Sequence, residues 1–352
     1  MQIALIPGDG IGPEVTAAAM AVVTAATQAS GRRVTLETLP WGADHFLATG
    51  VTIPTDGYAM LRQFEAVFVG ALGDPRVPDN RHARDILLGT RFELDLYVNY
   101  RPVRLLDERL CPLKDRAPAD VNFVVFRENT EGLYVGVGGR FKAGTADEVA
   151  IQEEVNTYKG VHRIVRHAFE YARAAGCTRV CMADKSNAMP DGHALWQRVF
   201  AEIARDYPGI QPRHVYIDAL ALYLVQDPSQ FDVIVTNNLF GDIITDLGAA
   251  LQGGLGMAAS GNLHPGRTSM FEPVHGSAPP LAGKNVANPI GAILSAAMML
   301  EYLGARGEAG AIESAVASAV RDRQGTADIG GALGTKETGD LIAGRVREIM
   351  AR

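Results

Sequence analysis

The chain has 352 residues, 47% hydrophobic and 21% charged, a balance that suits a folded protein with a full core and excludes a disordered or fibrous chain. Its 33 Lys and Arg against 40 Asp and Glu leave a net charge of −7, so neither nucleic acid nor an anionic membrane is expected as a partner, while a local basic pocket for a small anion is allowed. No run approaches the roughly 20 apolar residues that span a bilayer, and MQIALIPGDG lacks a basic leader, so a cytoplasmic location is expected.

Residues 2–7 (QIALIP) read as a buried strand, and 13–30 as an Ala-rich helix with Pro13 in its first turn. Residues 32–39 (RRVTLETL) and 64–72 (FEAVFVGAL) are two further strands. This alternation predicts an α/β protein with helices packed on a largely parallel sheet. Residues 93–106 (ELDLYVNYRPVRLL) alternate as a strand, with Arg101 held extended by the following proline. Residues 121–129 (VNFVVFREN) form a buried strand ending in polar residues. After it, two glycine-spaced segments (134–144 and 147–157) look like the strands of a hairpin and break the βα rhythm. Residues 178–187 and 232–238 restore that rhythm, and from residue 288 onward the chain reads as almost wholly helical. Without a Ser/Pro-rich linker, two domains would have to be interwoven. Cys177 and Cys181 have no further thiol or histidine nearby at ligand spacing and read as small buried residues, and three cysteines in all, with Cys111, do not make a disulfide scaffold.

Five segments carry candidate chemistry. The turn Gly8-Asp9-Gly10-Ile11-Gly12 has GxGxG spacing and not GxGxxG, and Glu14 would compete with phosphate, which favours a structural tight turn over a nucleotide cradle. Asp242 and Asp246 stand four apart on a helix predicted to begin near Asn238, flanked by apolar residues, and Asp218 lies in another apolar run. Carboxylates suit Mg²⁺ or Mn²⁺. Spacing alone leaves a metal pair and two exposed acids in a helix's first turn equally open. Arg91, Arg101 and Arg127 sit at strand ends, a residue type fitted to bidentate carboxylate binding. Lys185, just past a buried strand, suits a general base, and Tyr134 a proton donor; singly, each also fits an ordinary core or surface role. The stretch 271–289, rich in Gly, Pro, Asn and one His, suits close backbone approach to a ligand.

Taken together, GDGIGPE, RFELDLYVNYRP, RENTEGLY, DKSN, NLFGDIITD and FEPVHGSAP…NP resemble the β-decarboxylating dehydrogenases of 2-hydroxy acids, which include isopropylmalate, isocitrate, homoisocitrate and tartrate/D-malate dehydrogenases. The resemblance covers residue 8 to about 300, in order. It implies two interwoven α/β domains that are not a Rossmann fold: a large cofactor-binding domain from 1–98 and 253–352, and a small substrate and dimerisation domain from 99–252. A hairpin after Tyr134 would clasp the second subunit of a homodimer with shared active sites, into which Lys185 and Asp218 reach from the neighbour.

The same resemblance implies that Arg91, Arg101 and Arg127 clamp the substrate carboxylates, with Asp218 also at the substrate. Asp218, Asp242 and Asp246 would hold Mg²⁺ or Mn²⁺, while Lys185 removes the hydroxyl proton and Tyr134 protonates the enol. Glu272, His275, Gly276, Ser277, Ala278 and Asn288 would contact NAD. Leu87 and Leu88 stand where isocitrate enzymes carry polar residues, and an apolar pair suits a branched alkyl group better than a third carboxylate. The pattern is most similar to the isopropylmalate members of leucine biosynthesis. Ala188 instead matches the tartrate/D-malate enzymes, Arg84 replaces a usual Glu, and Pro280-Leu281 replaces both the acidic residue of NAD enzymes and the cation pair of NADP enzymes. NAD is expected because no charge awaits a 2′-phosphate. A catalytically inactive regulatory subunit is disfavoured by the intact Lys185, Tyr134, acids and arginines.

Overall fold

A computed structural model describes all 352 residues, which divide into two compact units. The first comprises 1–96, 101–121 and 249–352; the second comprises 97–100 and 122–248. The segment 101–121, expected from the sequence in the middle domain, packs with the first unit. Helices are interleaved with strands in both units, giving the α/β class expected.

In the first unit the strands β1 (Gln2–Gly8), β2 (Thr35–Thr38) and β3 (Ala66–Ala71) are parallel, in the order β2-β1-β3. Two late strands, β11 (Ala259–Leu263) and β12 (Ser269–Pro273), extend this row beyond β3. β12 runs parallel to β3 but antiparallel to β11, so the sheet is mixed and does not follow Rossmann topology. β3 is buried at every position, as an all-apolar central strand must be. β2 lies at the edge and is mostly exposed, which is why only four of the eight residues read as strand in 32–39 pair. The helices Gly12–Ala29, Ile290–Tyr302, Arg306–Arg321 and Thr335–Met350 pack on one another. Below the sheet a core of Ile6, Trp41, Leu61, Val67, Ile86 and Leu96 forms, each side chain worth about 1.5–3 kcal/mol when fully buried.

β4 (Val98–Arg104) passes from the second unit to the first after Tyr100, and begins later than the alternation in 93–106 suggests. In the second unit β5 (Asn122–Glu128), β8 (Arg179–Asp184), β9 (Gln211–Tyr216) and β10 (Val233–Thr236) are all parallel, ordered β5-β10-β8-β9. Pro212 sits on the edge strand β9, where its missing N–H costs no ladder bond. The helix Tyr158–Ala175 starts at Thr157, whose hydroxyl caps the Gly160 amide, and stops at Gly176 in the left-handed region. The two glycine-spaced segments form the antiparallel hairpin β6 (Gly138–Phe141) and β7 (Val149–Gln152), exposed along both strands. No helix is long and apolar enough to cross a membrane.

Candidate active site

In the first unit, the GDGIG turn is a brace. Asp9 is buried and its carboxylate accepts hydrogen bonds from the amides of Ala43 (2.7 Å) and Gly73 (2.8 Å), with His82 Nε2 at 2.9 Å. Gly10 has φ +57°, and a Cβ there would fall 2.0 Å from the Ser277 carbonyl. That carbonyl accepts from the Ile11 amide at 2.8 Å. The turn is therefore pinned to Ser277, in the loop that carries His275, Gly276 and Ala278. This loop and the segment Leu72–Asn80 line a pocket of about 470 Å³. His275 Nδ1 lies 3.0 Å from the Gly276 carbonyl, whereas its Nε2 is enclosed without a partner, and burial pushes the imidazole below the ordinary histidine range. His275 itself does not line the pocket, whose wall from this loop is Gly276–Pro279. Asn288 is committed elsewhere, to Asp328 at 2.9 Å and the Ile290 amide at 2.9 Å.

The chain before Arg91 is a π-helix, Asp85–Gly89. Tyr58 donates its hydroxyl to the Asp85 carbonyl at 2.8 Å, and Thr52 donates to the Asp85 carboxylate at 2.6 Å. Such wide turns recur at functional sites. This one carries Leu87 and Leu88, both half-buried, with Leu87 packed against the core. Arg91 is buried, and its Nη2 donates to Glu272 Oε1 at 2.8 Å, where Asn262 also donates at 2.8 Å. Glu272 is thus fixed by protein partners. Arg91 Nε is enclosed and has no hydrogen-bond partner, a cost that an enclosed guanidinium nitrogen bears. Arg101 is also buried, in β4.

In the second unit, Arg127, the last residue but one of β5, is 1% exposed and donates to Asn238 Oδ1 from Nε (2.9 Å) and Nη2 (2.7 Å), and to Asp242 from Nη1. Tyr134 Oη donates to the other Asp242 oxygen at 2.7 Å, and the guanidinium lies 5.1 Å from the Tyr134 ring centre. Asp242 lies beyond the first turn of the helix Asn238–Leu251, whose first turn holds no acid, so the helix dipole does not account for it. Asp246 is exposed one turn further on. Lys185, just past β8, donates from Nζ to Asp218 Oδ1 at 2.7 Å. That bond holds the exposed Asp218 carboxyl below its ordinary range.

Asp218, Asp242 and Asp246 do not form a three-residue metal cluster, and no other set of acids, histidines and cysteines does. Two carboxylates a turn apart still match the donor set of Mg²⁺ or Mn²⁺, ions that take one or two protein carboxylates and complete their shell with water and substrate oxygens. Asn238, the main acceptor for Arg127, is absent from the candidates that the sequence alone suggests; its place just before the acidic pair is the available signal. Cys181 is buried and its thiol is pushed up to about 12 by burial, but Cys111 and Cys177 are only half-buried.

Residues 2–342 match the family model described as isocitrate/isopropylmalate dehydrogenase. The chain is 46% identical over 352 residues to a 3-isopropylmalate dehydrogenase of Thermobifida fusca (strain YX), covering 99% of this chain and 98% of that one. It is also 46% identical over 351 residues to a 3-isopropylmalate dehydrogenase of Corynebacterium efficiens, covering 98% and 99%. Among solved structures, an isocitrate dehydrogenase from Methylococcus capsulatus superposes with TM-score 0.90 at 38% identity, covering 98% of this chain and 99% of that one. The TT0538 protein of Thermus thermophilus gives TM-score 0.87 at 36% identity, covering 100% and 70%. The chain belongs to the isocitrate/isopropylmalate dehydrogenase family and is a decarboxylating 2-hydroxy acid dehydrogenase.

Proposed function

We propose that the chain converts 3-isopropylmalate to 4-methyl-2-oxopentanoate and CO₂ with reduction of NAD, the dehydrogenase step of leucine biosynthesis. The observation that carries this reading is the π-helix that sets Leu87 and Leu88 ahead of a buried Arg91 with an unmatched Nε. An alkyl group against the leucines gains about 1.5–3 kcal/mol, whereas a third carboxylate held against two leucines is costly to desolvate. The names of the relatives support the same substrate.

Arg91, Arg101 and Arg127 are assigned to the substrate carboxylates. Arg91 is pre-aimed by Glu272, and Arg127 by Asn238. Lys185 Nζ takes the proton of the 2-hydroxyl, and Tyr134 Oη returns one to the carbon left after CO₂ departs. The pocket beside His275, Gly276, Ser277 and Ala278 is assigned to NAD, which supplies the hydride acceptor, with Mg²⁺ or Mn²⁺ at Asp242, Asp246 and Asp218 supplying the electrophile. Asn288 and Glu272 shape this region through protein contacts. The exposed Leu222 and Val225 on the helix Ile217–Gln226, together with Phe141, Val149 and Ile151 on the hairpin, are assigned to a second copy, in a homodimer to whose neighbouring site Lys185 and Asp218 contribute.

The test is the initial rate of NADH formation with Mn²⁺ on 3-isopropylmalate and on isocitrate. Rapid turnover of the first, abolished by chelator, is expected; isocitrate turnover at a comparable kcat/KM would overturn the substrate assignment. Ala188, small and exposed at the end of the DKSN segment, favours tartrate or D-malate as a second reading.

A further inference from the structure

The lysine assigned as base stands on a buried polar network that the mechanism above does not use. Lys185 donates its backbone amide to His193 Nδ1 at 2.7 Å. His193 is 0% exposed and lies in the first turn of the helix Pro190–Ala204. Because Nδ1 accepts this hydrogen bond, the ring hydrogen belongs on Nε2, which faces Glu154 Oε1 at 3.3 Å. Asn237 donates to the same Glu154 oxygen at 2.7 Å. Burial opposes ionisation of Glu154, yet the hydrogen bonds from His193, Asn237 and Asn156 outweigh it and hold its carboxyl below the usual range.

The network has two further connections. The His193 ring meets Phe240 edge to face, with centroids 5.6 Å apart, and Asn237 Oδ1 accepts the Phe240 amide at 2.9 Å. Phe240 lies two residues before Asp242, so one imidazole touches both the amide of Lys185 and the start of the helix that carries Asp242. Glu154 is the second residue after β7, and the intervening Glu153 donates its amide to the Val137 carbonyl at 2.8 Å, at the foot of the hairpin.

We propose that His193, oriented by Glu154, is a positioning residue that sets where Lys185 presents its amine, and so acts on the proton-transfer step and not on ligand binding. His193 touches no reacting atom. A neutral imidazole with its hydrogen on Nε2 is the one form of this side chain that accepts from the Lys185 amide and donates to Glu154 together. Misplacing a base by about an ångström costs up to roughly 100-fold in rate. A side chain that only filled space would show its loss in stability and leave the two halves of the network equivalent.

The inference rests on Lys185 being the base, and the experiment separates the two. His193→Asn keeps an acceptor near the Nδ1 position; His193→Gln keeps a group near Nε2 but withdraws that acceptor. In the full chain, with its best substrate, Mn²⁺ and NAD, His193→Gln should lower kcat by roughly 10- to 100-fold with KM for NAD changed less than about threefold. His193→Asn should recover most of that loss, while Glu154→Gln should fall between the two. Lys185→Met is the control: if it keeps activity, the reading of Lys185 fails. If Lys185→Met is inactive and His193→Gln keeps more than half of the kcat, the inference fails alone. Equal losses in His193→Asn and His193→Gln, paralleled by equal falls in Tm, also overturn it.

Discussion

Arg127→Met tests how the second unit assembles its part of the site. The guanidinium is almost fully enclosed and supplies two hydrogen bonds to one Asn238 oxygen and a third to Asp242. Each charge-assisted bond has a net worth of about 1.5–3 kcal/mol, and a stranded buried oxygen costs about 1–3 kcal/mol. The Asp242 side chain is 38% exposed, so water replaces much of what that carboxylate loses, and its share falls toward the roughly 0–1 kcal/mol of surface pairs. Methionine refills the stem, which limits the packing loss. The Asn238 side then dominates, and the expected destabilisation is about 3–5 kcal/mol, measured as the change in unfolding free energy in urea. Arg127→Lys, which keeps the charge but not the planar fork, should lie between. A loss below about 1 kcal/mol for Arg127→Met would refute the view that this cluster is built around the arginine.

Leu87→Asn should lower kcat/KM for 3-isopropylmalate at least tenfold and that for D-malate much less, a contrast read from paired steady-state assays. Gly89→Ala would place a Cβ 2.0 Å from the Tyr58 hydroxyl, so it should cost about 1–3 kcal/mol in urea unfolding. Adding Tyr58→Phe should recover at least half of that loss, and an unchanged penalty would mean the two do not meet. Burial pushes His167, edge-on to Phe126, from 6.5 down to about 4. The native state therefore resists protonation that the unfolded chain accepts. The stability from this group is complete above pH 6.5 and is lost as pH falls toward 4, by roughly 2–3 kcal/mol. His167→Gln should flatten that acid limb, and an unaltered slope would contradict the assignment.

Much of the fold was legible because it rests on local patterns. The all-apolar run in β3, the helix with Pro13 near its start and the glycine-spaced hairpin each carry their own period and punctuation. Where the reading overreached, pairing decided the outcome: residues 32–39 look like a full strand, but β2 has a neighbour on one side only. The π-helix at Asp85–Gly89 has no sequence period of its own, since Tyr58 and Thr52, distant along the chain, hold it open. The candidate arginines and acids were visible as residue types, and the acids by their helical spacing, but only Arg127 stands near a strand end: Arg91 lies in the short helix Thr90–Glu93 and Arg101 in mid-strand in β4. Their partners were not visible. That Asp9 ties three segments together, that Glu272 faces Arg91, and that His193 holds the Lys185 amide are long-range hydrogen bonds, which no periodicity encodes.

The π-helix that carries Leu87 and Leu88 is expected to read a branched alkyl group. The most direct test is kcat/KM of the purified chain, with Mn²⁺ and NAD, for 3-isopropylmalate against D-malate. A ratio of at least about ten in favour of 3-isopropylmalate is expected, about 1.4 kcal/mol of transition-state discrimination. A ratio at or below one would contradict it, and would make Ala188 a better guide to the substrate than Leu87 and Leu88.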